Sequence, residues 1–298
     1  MSTNEHQFLL KALEEGLRLD GRKPMQMRHL NIEVGPDYGQ VLVSLGDAKV
    51  VVRISSEIVT PYEDRPFEGI FQVSSELDGM GHPSFNEASH RQEEEVMLSR
   101  LIEKAIRRSN ALDLESLCII AGQKCWSVRA DVHIIDYDGN MTDTVCIGVI
   151  AGLLHFKKPD ISIKNGTVIL HDMSEREPVP LSILHIPICV TFQIYSSGSM
   201  EDNVKGDGRE FVIVDATLKE EALTQGTITL TLNSNKELCQ MSKSGGINLE
   251  VDEILSLTNE AQIIVDDFTK YIKDTIKKDE ELRVNPLQKE LQVVNSRE

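Results

Sequence analysis

From Val145 to Leu154 the chain is apolar almost without interruption, and that run constrains the fold more than any other feature. It falls short of the roughly 18 residues that crossing a bilayer needs. As part of a helix over about Asp143 to Phe156 it leaves no polar face for water, so the helix must be covered on most of its sides. The rest of the chain has to supply the layers that cover it.

Those layers are legible on both sides of the run. Residues 7–16 read as a short helix, followed by the polar turn Arg18-Leu19-Asp20-Gly21-Arg22 and an alternating strand from Leu30 to Val34. Gln40 to Leu45 and Lys49 to Ile54 form a hairpin across Gly46-Asp47, and a further strand runs from Ile70 to Leu77 after the loop Pro61 to Gly69. Asp78 to Gln92 has no periodicity and reads as loop. Between Glu93 and Arg108 apolar pairs recur every four residues, which predicts a helix. Strands at Leu117 to Ala121 and Cys125 to Ile135 lead through the turn Asp136 to Gly139 into the apolar helix.

The second half repeats this grammar. Asn165-Gly166 predicts a hairpin between Ile161 to Lys164 and Thr167 to Leu170. A strand from Ile186 to Tyr195 precedes the Gly/Ser-rich, acidic stretch Ser196 to Arg209, expected to be an exposed and mobile loop. Strands at Phe211 to Val214, Thr227 to Leu232 and Glu237 to Met241 follow, with a short helix from Leu218 to Leu223. A long helix runs from Val251 to about Lys278, with Ile254, Leu257, Ala261, Ile264, Phe268 and Ile272 along one face. Two rounds of interleaved strands and helices imply an α+β architecture with helices packed on mixed sheets. The expected organisation is one domain over residues 1–280, internally duplicated at roughly 17–158 and 159–280, and a polar tail over 281–298.

Charge narrows the function classes. Thirty-one Lys and Arg against 48 Asp and Glu give a net charge of −17 over 298 residues, so the summed field opposes nonspecific binding of a polyanion. Contact with nucleic acid must be local. The opening Met1-Ser2-Thr3-Asn4-Glu5 lacks the basic and apolar regions of a signal peptide, so residence inside the cell without a membrane anchor is expected. Cys118, Cys125, Cys146, Cys189 and Cys239 are widely spaced in apolar segments and read as buried reduced thiols. No phosphate-binding loop, dinucleotide fingerprint, His-Glu-x-x-His or paired-cysteine zinc spacing occurs, and no Gly-x-Ser-x-Gly elbow raises Ser-His-Asp catalysis. His82 and His90 read as loop residues and Trp126 as core.

Several segments in order resemble the RNase PH family: Arg18 to Arg22, the hairpin Val41 to Ser55, Pro61-Tyr62-Glu63-Asp64-Arg65-Pro66-Phe67-Glu68-Gly69, Asp131 to Gly139, Glu175 to Leu181, and Asp215-Ala216-Thr217-Leu218-Lys219-Glu220-Glu221. Within it the resemblance is to the eukaryotic exosome-ring branch, related to the non-catalytic archaeal ring subunit, and it covers about Leu17 to Lys277. It implies a duplicated βαβα unit, six such chains closed around a pore, OB-fold and KH-type cap proteins, a separate hydrolytic exonuclease, single-stranded RNA as the handled polymer, no cofactor, and residence in nucleus, nucleolus and cytoplasm. Phosphorolytic relatives carry Gly-Thr-Arg where this chain has Asn140-Met141-Thr142, so a neutral hydroxyl replaces the guanidinium that would fork a phosphate. Thr142 and Asp143 otherwise read as cap and dipole partner of the apolar helix. Asp215 and Glu221 match two metal-assisting aspartates of the family, with one lengthened to Glu. The implied protein does not cut RNA; an active phosphorolytic ribonuclease and an acidic interaction module are the alternatives.

One basic stripe offers the local RNA contact. Arg100, Lys104, Arg107 and Arg108 fall at i, i+4, i+7 and i+8 on a helix. The resemblance places such cations along the pore and makes Arg65, in the Pro61 to Gly69 loop, a further candidate. The plainer roles are helix-dipole complement and a Glu103–Arg107 pair for the stripe, and an intraloop pair with Glu63 or Glu68 for Arg65.

Overall fold

The computed structural model describes residues 3–164, 167–172, 175–196 and 210–283. After α1 (Thr3–Glu14), alternating buried and exposed positions build β1 (Leu30–Val34), β2 (Gln40–Leu45) and β3 (Ala48–Val59) into an antiparallel meander. β4 (Ile70–Leu77) leads through a 3-10 turn at Pro83–Asn86 into α2 (Ala88–Arg107), and β5 (Cys118–Ile120) forms a short hairpin with β6 (Lys124–Asp136). β6 lies antiparallel to β3 and parallel to β4, a pairing that needs the crossover α2 provides. The sheet runs β1-β2-β3-β6-β4. Trp126 sits in its core.

α3 (Met141–His155) carries the apolar run and lies against β2 and β3 of this sheet and against the strand Ile188–Ser196 of the next. Its approach to the first sheet is close enough that a Cβ at Gly148 would stand 2.8 Å from Val52 Cγ2. After the small pairs β7 (Lys157–Lys158) with β10 (Val179–Pro180) and β8 (Ile161–Lys164) with β9 (Thr167–Leu170), a second sheet forms. It comprises β11 (Ile188–Ser196), β12 (Glu210–Val214), β13 (Gly226–Leu232) and β14 (Leu238–Gly245), wholly antiparallel in the order β12-β11-β13-β14. α4 (Leu218–Glu221) follows β12, with a reciprocal Thr217–Glu220 capping box at its start. β11 is buried along nearly its whole length, touching both α3 and α5 (Val251–Arg283).

Several boundaries differ from expectation. α2 starts at Ala88, inside the stretch read as loop, because His82 caps the 3-10 turn through Ser84 N–H and Phe85 anchors it in the core. α5 continues past Lys278 to Arg283, where Arg283 pairs with Asp279 and donates to the Gly35 and Pro36 carbonyls. Its buried line holds Val265, Thr269 and Ile276, while Ile254, Ile264 and Phe268 are partly covered. α3 starts at Met141 after a left-handed Asn140, so Thr142 lies inside the first turn and does not cap it. Cys125, Cys146 and Cys189 are buried free thiols, and Cys118 and Cys239 are half-buried. The Asn165-Gly166 turn, residues 197–209 and residues 284–298 lie outside the described residues.

Candidate functional site

Asp215 follows β12 in a left-handed conformation, which an aspartate tolerates better than a bulkier residue, and its side chain is wholly buried. Five hydrogen bonds converge on its carboxylate. Arg28 donates through its backbone N–H at 2.8 Å, Nε at 3.0 Å and Nη2 at 2.8 Å; Arg22 Nη1 donates at 2.9 Å and Asn140 Nδ2 at 2.8 Å. Burial pushes the Asp215 carboxyl up, but Arg28, by hydrogen bond and charge, and Asn140 outweigh it and hold it below its ordinary value. Arg18, also buried, donates to the Val214 and Asp215 carbonyls and forks the Glu220 carboxylate. Arg28 reaches on to the carbonyls of Asp138 and Gly139, tying the turn before α3 to the turn after β12. Gly139 has φ of 78°, and a Cβ there would meet Ala216 O at 2.6 Å, so only glycine lets these backbones touch.

Glu221 sits on the other side of Asn140. Tyr137 OH donates to it at 2.7 Å, joined by the Asn140 N–H and the Gln193 side chain, yet burial dominates and raises its carboxyl above the ordinary value. Thr142 and Glu221 line one cleft of about 500 Å³ between α2, α3, β11, β13 and β14, with Glu94, Tyr137 and Gln193. No Lys or Arg lines it among the described residues. Asp143 stands in the first turn of α3, as expected, and its carboxylate accepts from Thr191 N–H at 2.9 Å, Thr191 Oγ1 at 2.7 Å and Nδ2 of the N-cap residue Asn140 at 3.0 Å, while burial raises it to about 7. A metal held between Asp215 and Glu221 does not fit this arrangement. Both oxygens of Asp215 are already taken by guanidinium and amide donors, and cations lie where a second cation would have to enter.

The basic candidates lie on α2, on its C-terminal cap and in the loop before β4. Arg100, Lys104 and Arg108 are exposed on α2 or its C-terminal cap, and Arg107 pairs with Glu103 at 3.3 Å. Arg65 pairs with Glu68 at 3.3 Å, as one sequence reading has it. Arg65 and Arg107 converge on a cleft of about 470 Å³ with Tyr62, Gln72 and Arg129, whereas Arg100 and Lys104 lie further along α2. Arg129 was not anticipated. It stands on the outer face of β6, between Ser55 of β3 and Gln72 of β4, and pairs with Asp131 at 2.6 Å. The period-two pattern of β6 marked that outer face, but not which loop would lean over it. The arginines around Asp215 were missed too, although Arg18 and Arg22 flank a conspicuous Asp-Gly turn in an acidic chain.

A family profile described as "3' exoribonuclease family, domain 1" matches residues 26–159, and its companion "domain 2" matches residues 185–263. The chain is 49% identical over 95% of its length to "Exosome complex component RRP45" of Saccharomyces cerevisiae, covering 93% of that protein. It is 49% identical to the Schizosaccharomyces pombe protein of the same name, over 95% of this chain and 92% of that one. Among solved structures, a chain of an Archaeoglobus fulgidus exosome "with RNA bound to the active site" superposes with a TM-score of 0.74 at 27% identity, covering 90% of this chain and 97% of that chain. With both halves matched and relatives this similar from end to end, the chain belongs to the RNase PH family of 3′ exoribonucleases.

Proposed function

We propose that this chain is a ring subunit of an RNA exosome that lines the RNA path and does not itself cut RNA. Membership of the ring is supported by the two yeast exosome components, similar over nearly their whole length, and by the archaeal exosome chain with the same fold. The observation that carries the non-cutting role is the charge distribution around Asn140. Among the described residues the cleft holding Thr142 and Glu221 has no cation in its lining, while the nearby arginines Arg22 and Arg28 are spent on Asp215. Phosphorolysis needs the reverse: a cation at the helix start to hold phosphate, and free carboxylates. A ring whose wall does not cut needs a hydrolytic nuclease elsewhere and OB-fold or KH-type proteins to gather RNA at its mouth. Arg65, Arg100, Lys104, Arg107 and Arg108, with Arg129 added, are the residues proposed to meet RNA phosphates. A net charge of −17 leaves neighbouring ring chains to supply the remaining positive surface.

The purified chain incubated with oligo(A) and phosphate is expected to release no nucleoside diphosphate. Phosphate-dependent release that disappears in Glu221→Gln would overturn the reading.

A further inference from the structure

The cleft behind Thr142 is built from two unlike parts. Its inner end gathers hydrogen-bond acceptors. Gln193 is only 1% exposed, its amide nitrogen serves Glu221, and its Oε1 has no hydrogen-bond partner among the described residues. Beside it lies the Glu221 carboxylate, hydrogen-bonded by neutral donors but with no basic side chain in the cleft among the described residues, and Glu94 adds charge of the same sign. A buried acceptor left unmet, next to an acid whose nearby positive charge, Arg28, lies outside the cleft, favours a ligand that brings donors and positive charge. The outer wall is aliphatic. Met97, Leu98, Leu101 and Met141 line it, and Met97 is 71% exposed at the mouth. Thioether and leucine side chains suit a flexible hydrocarbon stem lying along them.

The geometry points to a binding site for a guanidinium or ammonium group carried on an aliphatic stem, with the head at Gln193 Oε1 and Glu221 and the stem against Met97 and Leu101. This goes beyond the ring-subunit role and does not rest on it. Two sources share that chemistry: an arginine or lysine of a neighbouring chain, and a free polyamine.

Calorimetric titration of the full chain with agmatine, a guanidinium on an aliphatic amine, tests the site, with inorganic phosphate as the opposed probe. Saturable agmatine binding and no phosphate binding are expected, with Glu221→Gln weakening agmatine at least about tenfold. Met97→Lys is exposed enough to leave the fold intact, and its own ammonium is expected to fill the cleft and abolish uptake. No saturable binding by the unmodified chain, or equal binding by both variants, overturns the site while leaving the non-cutting role standing. Saturable phosphate binding in place of agmatine overturns both. Repeating the titration on the assembled ring separates the sources: loss of agmatine uptake assigns the head group to a neighbouring chain, and retained uptake assigns it to a free polyamine.

Discussion

Asp143 and Asp215 are both removed from water and share Asn140 as a hydrogen-bond donor, yet their environments move them in opposite directions. Asp215 is held ionised by Arg28 and Arg22. Asp143 meets only neutral donors, so burial raises it from 3.8 to about 7. The consequences for stability have opposite sign. The lowered Asp215 adds stability that is lost as pH falls through its folded-state value. Asp143 adds stability that is complete below its unfolded value near 3.8 and is lost as pH rises towards about 7, because over that window the folded chain binds a proton the unfolded chain has released. Replacing Asp143 with Asn, which keeps the shape of the neutral acid, is expected to remove that decline. Urea unfolding of the two proteins at several pH values between 4 and 7 reads it directly: their difference should grow by on the order of 1 kcal/mol per pH unit. Parallel curves would mean that Asp143 stays ionised in the folded chain.

At the scale of elements, α3 holds the two sheets together, and its side towards the first sheet is set by a missing side chain. With a Cβ at Gly148 only 2.8 Å from Val52 Cγ2, the helix would have to lift from β3 or push Val52 off its rotamer. Gly148→Ala should therefore cost about 1–3 kcal/mol despite the better helix propensity of alanine. Adding Val52→Ala should give a total loss smaller than the sum of the two single losses, measured as denaturation midpoints, because each change relieves the other. That α3 is buried was legible, since an apolar run has only one stable place; the distance to β3 was not, since it depends on a partner far along the chain. The same division runs through the rest. β1 and β4 begin and end where their alternation does, at Leu30–Val34 and Ile70–Leu77. The start of α2 and the end of α5 are set by tertiary anchors, Phe85 in the core and Arg283 on the Gly35 and Pro36 carbonyls, which no local pattern contains. At the candidate site, Thr142 and Glu221 were found by resemblance. The enclosure of Asp215 was not, because Arg28 is 187 residues away in sequence and local spacing carries no trace of such a pairing.

For the whole molecule, the question is how a chain with a net charge of −17 could line a passage for a polyanion, as proposed. Two buried acids of the site are neutralised internally, Asp215 by Arg22 and Arg28 and Glu220 by Arg18, so they add little to the outward field. Among the exposed cations, Arg100 and Lys104 stand one helical turn apart on α2, and beyond them Arg107, Arg65 and Arg129, each paired with a neighbouring acid, share one cleft. In the role proposed for it, such a row would grip phosphates without reading bases, and its contribution is then expected to weaken with salt by a slope near −0.7 in log affinity per neutralised phosphate of a single strand. Reversing Arg100 and Lys104 to Glu is expected to leave the melting temperature of the chain nearly unchanged, since both side chains are exposed. In the assembled complex the double variant should slow decay of a long single-stranded tail, leave short substrates that never enter the ring unaffected, and flatten the salt dependence of binding. Equal decay rates and equal slopes for the two complexes would make the row a solvated helix face, with the Glu103–Arg107 pair and the helix dipole its whole physical content.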